Sequence, residues 1–180
     1  LGGTGVPHAI DIDRLLGYQP WSRPVSTASF NGQLRYRYQF GQDWSAHLQA
    51  SRSRVVIDDY STFPWGCYGA TDCAGLEVAN FFSPSGQYDV SDYRNPGDTR
   101  RTDQVRASLE GRGETGPVSH QLQLGLEWMQ RRIDRVGAVN EWVGTAGIDA
   151  DPPVFAPADG IAPGPKVRRL DARQQALYAS

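Results

Sequence analysis

The residues with the most chemical potential lie in the stretch 58–97. It holds the two cysteines of the chain, Cys67 and Cys73, which can form a disulfide or contribute to a metal site. A structural zinc site needs about four ligands, and this stretch contains no histidine. A disulfide is the expected state if the stretch faces an oxidising compartment, and free or metal-bound cysteines are the alternative.

The same stretch is rich in aromatic side chains, which can line a pocket for a bulky organic ligand. They can equally pack on one another and hold a long segment in shape. We give first place as ligand contacts to the two aromatics beside Cys67. The candidate ligand-binding residues are Trp65, Tyr68, Tyr60, Phe63 and Tyr88.

Side chains suited to catalysis or metal binding are sparse elsewhere. His8, His47 and His120 have no nearby nucleophile in a suitable turn, and they are not spaced as metal ligands. Asp58 and Asp59 lack the glycine-punctuated spacing of a calcium loop. The sequence therefore predicts no catalytic residue, no enzyme and no metal or cofactor bound by the protein itself.

The elements that must position these residues are long strands. From Ala28 to Phe40, apolar residues or glycine alternate with polar residues without a break, which indicates a strand with one apolar and one polar face. Soluble strands usually have about five or six residues, whereas a membrane strand needs roughly 9 to 11. The same pattern predicts five strands, at about 28–40, 44–57, 98–112, 118–134 and 167–180.

The fifth predicted strand has the weakest alternation. Its expected apolar face consists of Leu170, Ala172, Ala176 and Tyr178, with Gln174 as an exception. Its register therefore depends on how it pairs with its neighbour.

The predicted connections alternate between short and long. The turns around 41–43 and 113–117 are tight, while the expected loops are about 1–27, 58–97 and 135–166. Loops of that length count against a compact soluble domain, but short periplasmic turns and long external loops are typical of outer-membrane barrels. The expected fold is therefore all-β, an antiparallel up-and-down transmembrane β-barrel, with a soluble β-sandwich as the alternative.

The composition is consistent with a transmembrane β-barrel and excludes some other classes of protein. The net charge of −2 and the single lysine give no reason to expect a nucleic-acid partner. No run of apolar residues is long enough for a membrane helix. The smallest membrane barrels have about eight strands, so we expect residues 1–180 to form a partial barrel domain within a longer protein.

Five segments carry a family resemblance, in order and spacing. Residues 5–7 read Gly-Val-Pro, and 15–23 read Leu-Leu-Gly-Tyr-Gln-Pro-Trp-Ser-Arg; 36–45 read Tyr-Arg-Tyr-Gln-Phe-Gly-Gln-Asp-Trp-Ser; 124–128 read Leu-Gly-Leu-Glu-Trp; 174–179 read Gln-Gln-Ala-Leu-Tyr-Ala. Together they resemble TonB-dependent siderophore receptors of Gram-negative outer membranes. The plug domain, the TonB box and the aromatic-ended last strand of that family are absent from this sequence.

The resemblance implies a multi-pass protein of the cell outer membrane that imports ferric siderophores. External loops would capture the chelate, and the TonB complex would act through the missing plug. Iron would arrive inside the siderophore, so the implied partners are the ferric siderophore, outer-membrane lipid and TonB. A barrel for haem, cobalamin or sugar, or a passive porin, is the alternative function.

Overall fold

The computed structural model describes residue 11 and residues 13–68, 82–160 and 162–180. Strands make up 69% of this described part of the chain, and it contains no helix. The all-β prediction is therefore confirmed. In the described ranges there is also no helix that could cross a membrane.

Within the described residues, seven strands form one antiparallel sheet, which is not closed. Its main path runs β1-β2-β4-β5-β7, while β3 and β6 both pair with β4. The strands are β1 Arg23–Phe40, β2 Trp44–Tyr60, β3 Thr62–Pro64, β4 Gln87–Thr115, β5 Val118–Arg135, β6 Val139–Gly147 and β7 Val167–Ala179. The main path contains all five strands that alternation predicts.

Two expectations about the loops need correction. The predicted loop 58–97 contains β3 and the first part of β4, and the predicted loop 135–166 contains β6. Alternation misses the start of β4 because Tyr88 to Asp92 are buried on both faces. Polar residues occupy buried positions there, so the period-two contrast between apolar and polar residues is lost.

The chain divides into two compact units. Unit 1 takes in the described residues of Leu1–Ser26, Asp58–Pro96 and Val136–Pro165. Unit 2 comprises Thr27–Ile57, Gly97–Arg135 and Lys166–Ser180.

Unit 2 is an antiparallel meander in which register aligns the apolar side chains. Between β4 and β5, Val105 lies opposite Trp128 and Leu109 lies opposite Leu124. Only two residues separate these strands, and Gly116 there has a φ of 62°. A positive φ at the first loop position is typical of a type II′ hairpin turn.

The aligned apolar side chains of unit 2 remain on the surface. Leu126 is 47% exposed and Leu177 is 88% exposed. The other exposed large apolar side chains of β1, β2 and β5 include Phe30, Leu34, Tyr36, Tyr38, Phe40, Trp44, Leu48, Val118, Leu122 and Leu124. The buried apolar residues of the described chain all belong to unit 1, so unit 2 has one long sheet and no core beneath it.

The register of β7 is the opposite of the one expected from its sequence. Leu177 lies opposite Leu126, on the apolar face, and Tyr178 lies opposite Gly125. A Cβ built on Gly125 would come within 2.1 Å of Cζ of Tyr178, so the ring occupies the space that this glycine leaves. Leu170, Ala172, Ala176 and Tyr178 consequently share the polar face, contrary to prediction.

Unit 1 holds the hydrophobic core. In it, β3 and β6 pair with β4 on opposite sides of its first residues, with Phe63 opposite Ser91 and Glu141 opposite Asp92. The core consists of Tyr88, Val90, Ala146 and Ile148, with Leu16, Phe82, Val143 and Phe155 packed against it.

Gly17 allows one close approach on which unit 1 depends. A Cβ there would lie 2.6 Å from Cα of Phe63 and 2.9 Å from the carbonyl oxygen of Thr62. These are backbone atoms, which cannot rotate away as a side chain can. Any residue larger than glycine at position 17 must therefore displace β3.

We expect Gly17→Ala to lower the free energy of unfolding by about 1–3 kcal/mol, the usual cost of overpacking. Gly147→Ala is the matched control, because a Cβ at Gly147 meets no atom within 4 Å. Thermal unfolding followed by far-UV circular dichroism compares the two variants. Equal melting temperatures for both would contradict the close approach at Gly17.

Candidate functional site

The segment 15–23 is held in unit 1 by a buried side-chain amide. Gln19 is 0% exposed. Its Nε2 donates to the carbonyl oxygen of Pro153 at 3.0 Å, and its Oε1 accepts from the backbone N–H of Phe155 at 2.8 Å. One side chain thus pairs with one acceptor and one donor of the backbone at 153–155, which belongs to no strand.

Three further side-chain hydrogen bonds connect residues 14–21 to residues 148–155 and to β4. Trp21 Nε1 donates to the carbonyl oxygen of Phe155 at 2.8 Å, and the Arg14 guanidinium donates to the carbonyl oxygen of Ile148. The Tyr88 hydroxyl donates to the carbonyl oxygen of Leu16 at 2.8 Å. Burial raises the pKa of Tyr88, so its phenol stays protonated as a donor.

The Asp89 carboxylate holds the backbone of Tyr68 through a hydrogen bond. This carboxylate is 2% exposed, and it accepts from Trp142 Nε1 at 3.0 Å and Thr145 Oγ1 at 2.8 Å. Its other oxygen accepts from the backbone N–H of Tyr68 at 2.5 Å. The backbone N–H of Trp65 in turn donates to the Asp89 carbonyl oxygen at 2.8 Å, so both preferred ligand candidates start from a fixed backbone.

A second buried carboxylate, Asp92, holds an arginine. Arg94 Nη2 lies 2.6 Å from Oδ2 of Asp92, and the same oxygen accepts from the backbone N–H of Ala158 at 3.3 Å. The hydrogen bond to Asp92 raises the pKa of Arg94. A buried carboxylate is tolerated when an ion pair and further hydrogen bonds satisfy it. Ala158 supplies such bonds, through its N–H to Asp92 and its carbonyl oxygen to Arg94.

Beside these contacts lies a small, half-open cavity of about 260 Å³. It is lined by Trp21, Arg23, Tyr60, Asp92, Arg94 and Pro157. The guanidinium carbon of Arg23 lies 5.4 Å from the ring centroid of Tyr60, which is cation–π distance. Across the described residues, no carboxylate forms an ion pair with Arg23. The cavity therefore combines flat aromatic walls with two guanidinium groups.

The predicted ligand-binding residues fall in three different settings. Trp65 and Tyr68 are 40% and 47% exposed, so both can contact a ligand. Tyr60 lines the cavity. Phe63 packs edge-on against Trp65 with ring centroids 5.4 Å apart. Tyr88 is 1% exposed and belongs to the core, where a ligand on the surface of the unit would not reach it.

The predicted disulfide can be followed at one end only. Cys67 is 1% exposed, and Cys73 lies outside the described residues, so the pairing stays a prediction. Within the described ranges, no cluster of three or more His, Cys, Asp or Glu side chains could hold a metal ion.

The polar face of unit 2 brings together a serine and a histidine that sequence reasoning did not connect. Ser45 Oγ lies 3.0 Å from Nε2 of His47. The Glu110 carboxylate lies 3.7 Å from the same Nε2. In a catalytic triad the serine and the acid bind different ring nitrogens, so this arrangement lacks the geometry of a relay.

Sequence reasoning also missed the residues that build the cavity. Trp21 and Arg23 were singled out only as part of a family-like segment, and Asp92 and Arg94 lie in a predicted loop. The available signal was the Asp-Tyr-Arg spacing at 92–94, which places a carboxylate and a guanidinium on one face of a strand.

Comparison with protein families, with curated proteins and with solved structures gave no match for this chain. Its function must therefore be argued from its own residues and geometry. The motif resemblance to the receptor family remains an expectation.

We expect Gln19→Ala to lower the free energy of unfolding of unit 1 by about 1–3 kcal/mol. It removes the hydrogen bonds to the Pro153 carbonyl and the Phe155 N–H, and each such bond contributes roughly 0.5–1.5 kcal/mol. Limited proteolysis, with mass spectrometry of the cut sites, should show new cleavage between 149 and 160. The control is Gln42→Ala, an exposed turn position, and identical cleavage of both variants would contradict the role of Gln19.

Proposed function

We propose that this chain is part of an outer-membrane β-barrel receptor for the energised uptake of ferric siderophores. The observation that carries the proposal is the sheet of unit 2, whose long strands expose an aligned apolar face and bury no apolar side chain. Soluble proteins rarely expose contiguous apolar patches larger than a few hundred Å². In contact with lipid acyl chains, such a face has no unfavourable free energy of exposure to water.

Strand length supports a membrane location. β1 and β5 each have 18 residues, and about 9 to 11 tilted residues cross the hydrocarbon layer. The apolar face of unit 2 also carries an open depression of about 740 Å³, walled by side chains such as Leu48, Leu109 and Leu126. An acyl chain is an apolar group that fits a surface of this kind.

The opposite face of unit 2 is suited to line a lumen. Arg106 Nη2 lies 2.7 Å from Oε2 of Glu127, and Gln104 donates to the other oxygen of that carboxylate at 2.7 Å. Cross-strand pairs of this kind satisfy polar side chains without an apolar core. As described, β1 and β7 each pair on one side only, and further strands of a complete barrel would pair with both edges.

Unit 1 supplies the features that a receptor needs outside the membrane. Trp65 and Tyr68 are exposed but anchored through their backbone to Asp89. Anchored aromatics bind an organic surface at low entropic cost. In the proposed mechanism these side chains contact the organic shell of the chelate, and the TonB complex then acts on a plug domain outside this sequence.

A barrel for haem, cobalamin or sugar, or a passive porin, is the alternative. All of these would share the apolar face of unit 2. They differ from a siderophore receptor in the ligand that unit 1 contacts, so a membrane test and a ligand test are needed separately.

The membrane test is an arginine scan of β5. We expect Leu126→Arg to destabilise the lipid-inserted protein by about 2–4 kcal/mol, the cost of an arginine near the bilayer midplane. Gln123→Arg, on the polar face of the same strand beside Glu110, should have little effect. Urea titration of the protein in phospholipid vesicles measures both, and equal effects would argue against a lipid-facing apolar surface.

The ligand test measures quenching of tryptophan fluorescence by ferric hydroxamate, catecholate and carboxylate chelates. We expect saturable quenching by one class and at least about tenfold weaker binding in Trp65→Ala, because a central aromatic contact contributes about 1.4 kcal/mol or more. Trp128→Phe, in β5, controls for the loss of one fluorophore. If folded, vesicle-inserted protein is quenched by no ferric chelate, the siderophore function fails and the alternative barrels are favoured.

A further inference from the structure

We propose that the cavity beside Arg23 binds a carboxylate group carried on a flat organic ring or arm of the ligand. No ligand contact was predicted for Arg23 from the sequence. In naming carboxylate-bearing chelates as the ligand class, the proposal rests on the proposed receptor function. The cavity itself can be tested without iron.

The charge of the cavity favours an anion. Two guanidinium groups, from Arg23 and Arg94, face one carboxylate, Asp92. Asp92 is already bound by Arg94 and by the backbone N–H of Ala158, so its charge is compensated within the protein. The positive charge of Arg23 has no such carboxylate partner in the described part of the chain.

Arg23 is also positioned to receive an anion. Its guanidinium is placed over Tyr60, with 5.4 Å between the guanidinium carbon and the ring centroid. A cation–π contact with Tyr60 uses none of the five N–H donors of the guanidinium, which lie in the guanidinium's own plane and can bind a carboxylate in a bidentate manner. The contact with Tyr60 therefore favours one position of the arginine without consuming its donors.

The walls suit a flat group. The indole of Trp21 is fixed because its Nε1 donates to the Phe155 carbonyl oxygen at 2.8 Å, and Pro157 provides an apolar surface. The cavity volume of about 260 Å³ lies below the roughly 300–1,000 Å³ of pockets that enclose a whole drug-sized ligand. It therefore takes one ring or arm of a larger molecule.

A cationic ligand is the contrary possibility, since tryptophan and tyrosine also form cages for ammonium groups. Here the face of Tyr60 is already occupied by Arg23, and the second guanidinium, from Arg94, would repel a cation. The geometry thus favours a carboxylate over an ammonium group.

The test uses 4-fluorobenzoate as the probe, followed by ¹⁹F NMR with the full chain in detergent micelles. We expect binding that is weakened at least about tenfold in Arg23→Gln, since a hydrogen bond to a charged group contributes more than a neutral one, and partly retained in Arg23→Lys. Arg54→Gln is the matched control, because it removes one exposed arginine from unit 2. Far-UV circular dichroism checks that each variant is folded.

A second comparison uses benzyltrimethylammonium and 4-fluorobenzamide as the cationic and neutral counterparts, and measures the affinity of each by its displacement of 4-fluorobenzoate in the ¹⁹F spectrum. Tighter binding of either than of 4-fluorobenzoate, or equal effects of Arg23→Gln and Arg54→Gln, would overturn the proposal. The proposal is supported if both counterparts bind more weakly than 4-fluorobenzoate and if only the Arg23 variants lose affinity for 4-fluorobenzoate.

Ferric citrate, which keeps free carboxylates, and a ferric trihydroxamate, which has none, separate this inference from the receptor function. Binding of ferric citrate that depends on Arg23 supports both. Binding of the trihydroxamate alone, unaffected by Arg23→Gln and without binding of 4-fluorobenzoate, would refute the carboxylate site and leave the receptor intact. Binding of 4-fluorobenzoate without binding of any ferric chelate would support the site and refute the receptor.

Discussion

The constraint on which the rest depends is that unit 2 places its apolar side chains on one face of a single sheet and buries none of them. Each large side chain left in water forgoes roughly 1.5–3 kcal/mol of transfer free energy, and the face carries more than ten of them. In the barrel that we propose, lipid acyl chains cover this face. Long strands, tight hairpins and a polar opposite face are all consistent with that proposal.

Unit 1 is stabilised in a different way. Its core is small, and its long segments are ordered by buried polar side chains that bind backbone groups. Gln19, Asp89 and Asp92 are each almost fully buried, and each bonds to a backbone group of a non-strand segment. Because these bonds are directional, they fix the position of nearby side chains more precisely than apolar packing of loops could.

The sequence predicts the strands of unit 2, and the faces of all of them except β7, because a half-exposed strand shows period two directly. It fails for β3, β6 and the start of β4, where Asp89 and Asp92 occupy buried positions and erase the contrast. It also fails for the register of β7, since both of its faces mix polar and apolar residues and the choice is made by Tyr178 packing over Gly125. Of the candidate site, aromatics such as Tyr60 could be named beforehand, but Arg23 could not, because its partner lies on another strand.

The segment 15–23 shows how structure and binding can share one stretch of chain. Gly17 permits contact with β3, and Gln19 and Trp21 fasten the segment to the backbone at 153–155. Arg23 follows directly, as the first residue of β1. Arg23, which has no carboxylate partner among the described residues, thus follows a backbone segment that is tied to its surroundings at several points. A binding residue in that position requires little reordering when a ligand arrives, so more of its interaction energy remains available as affinity.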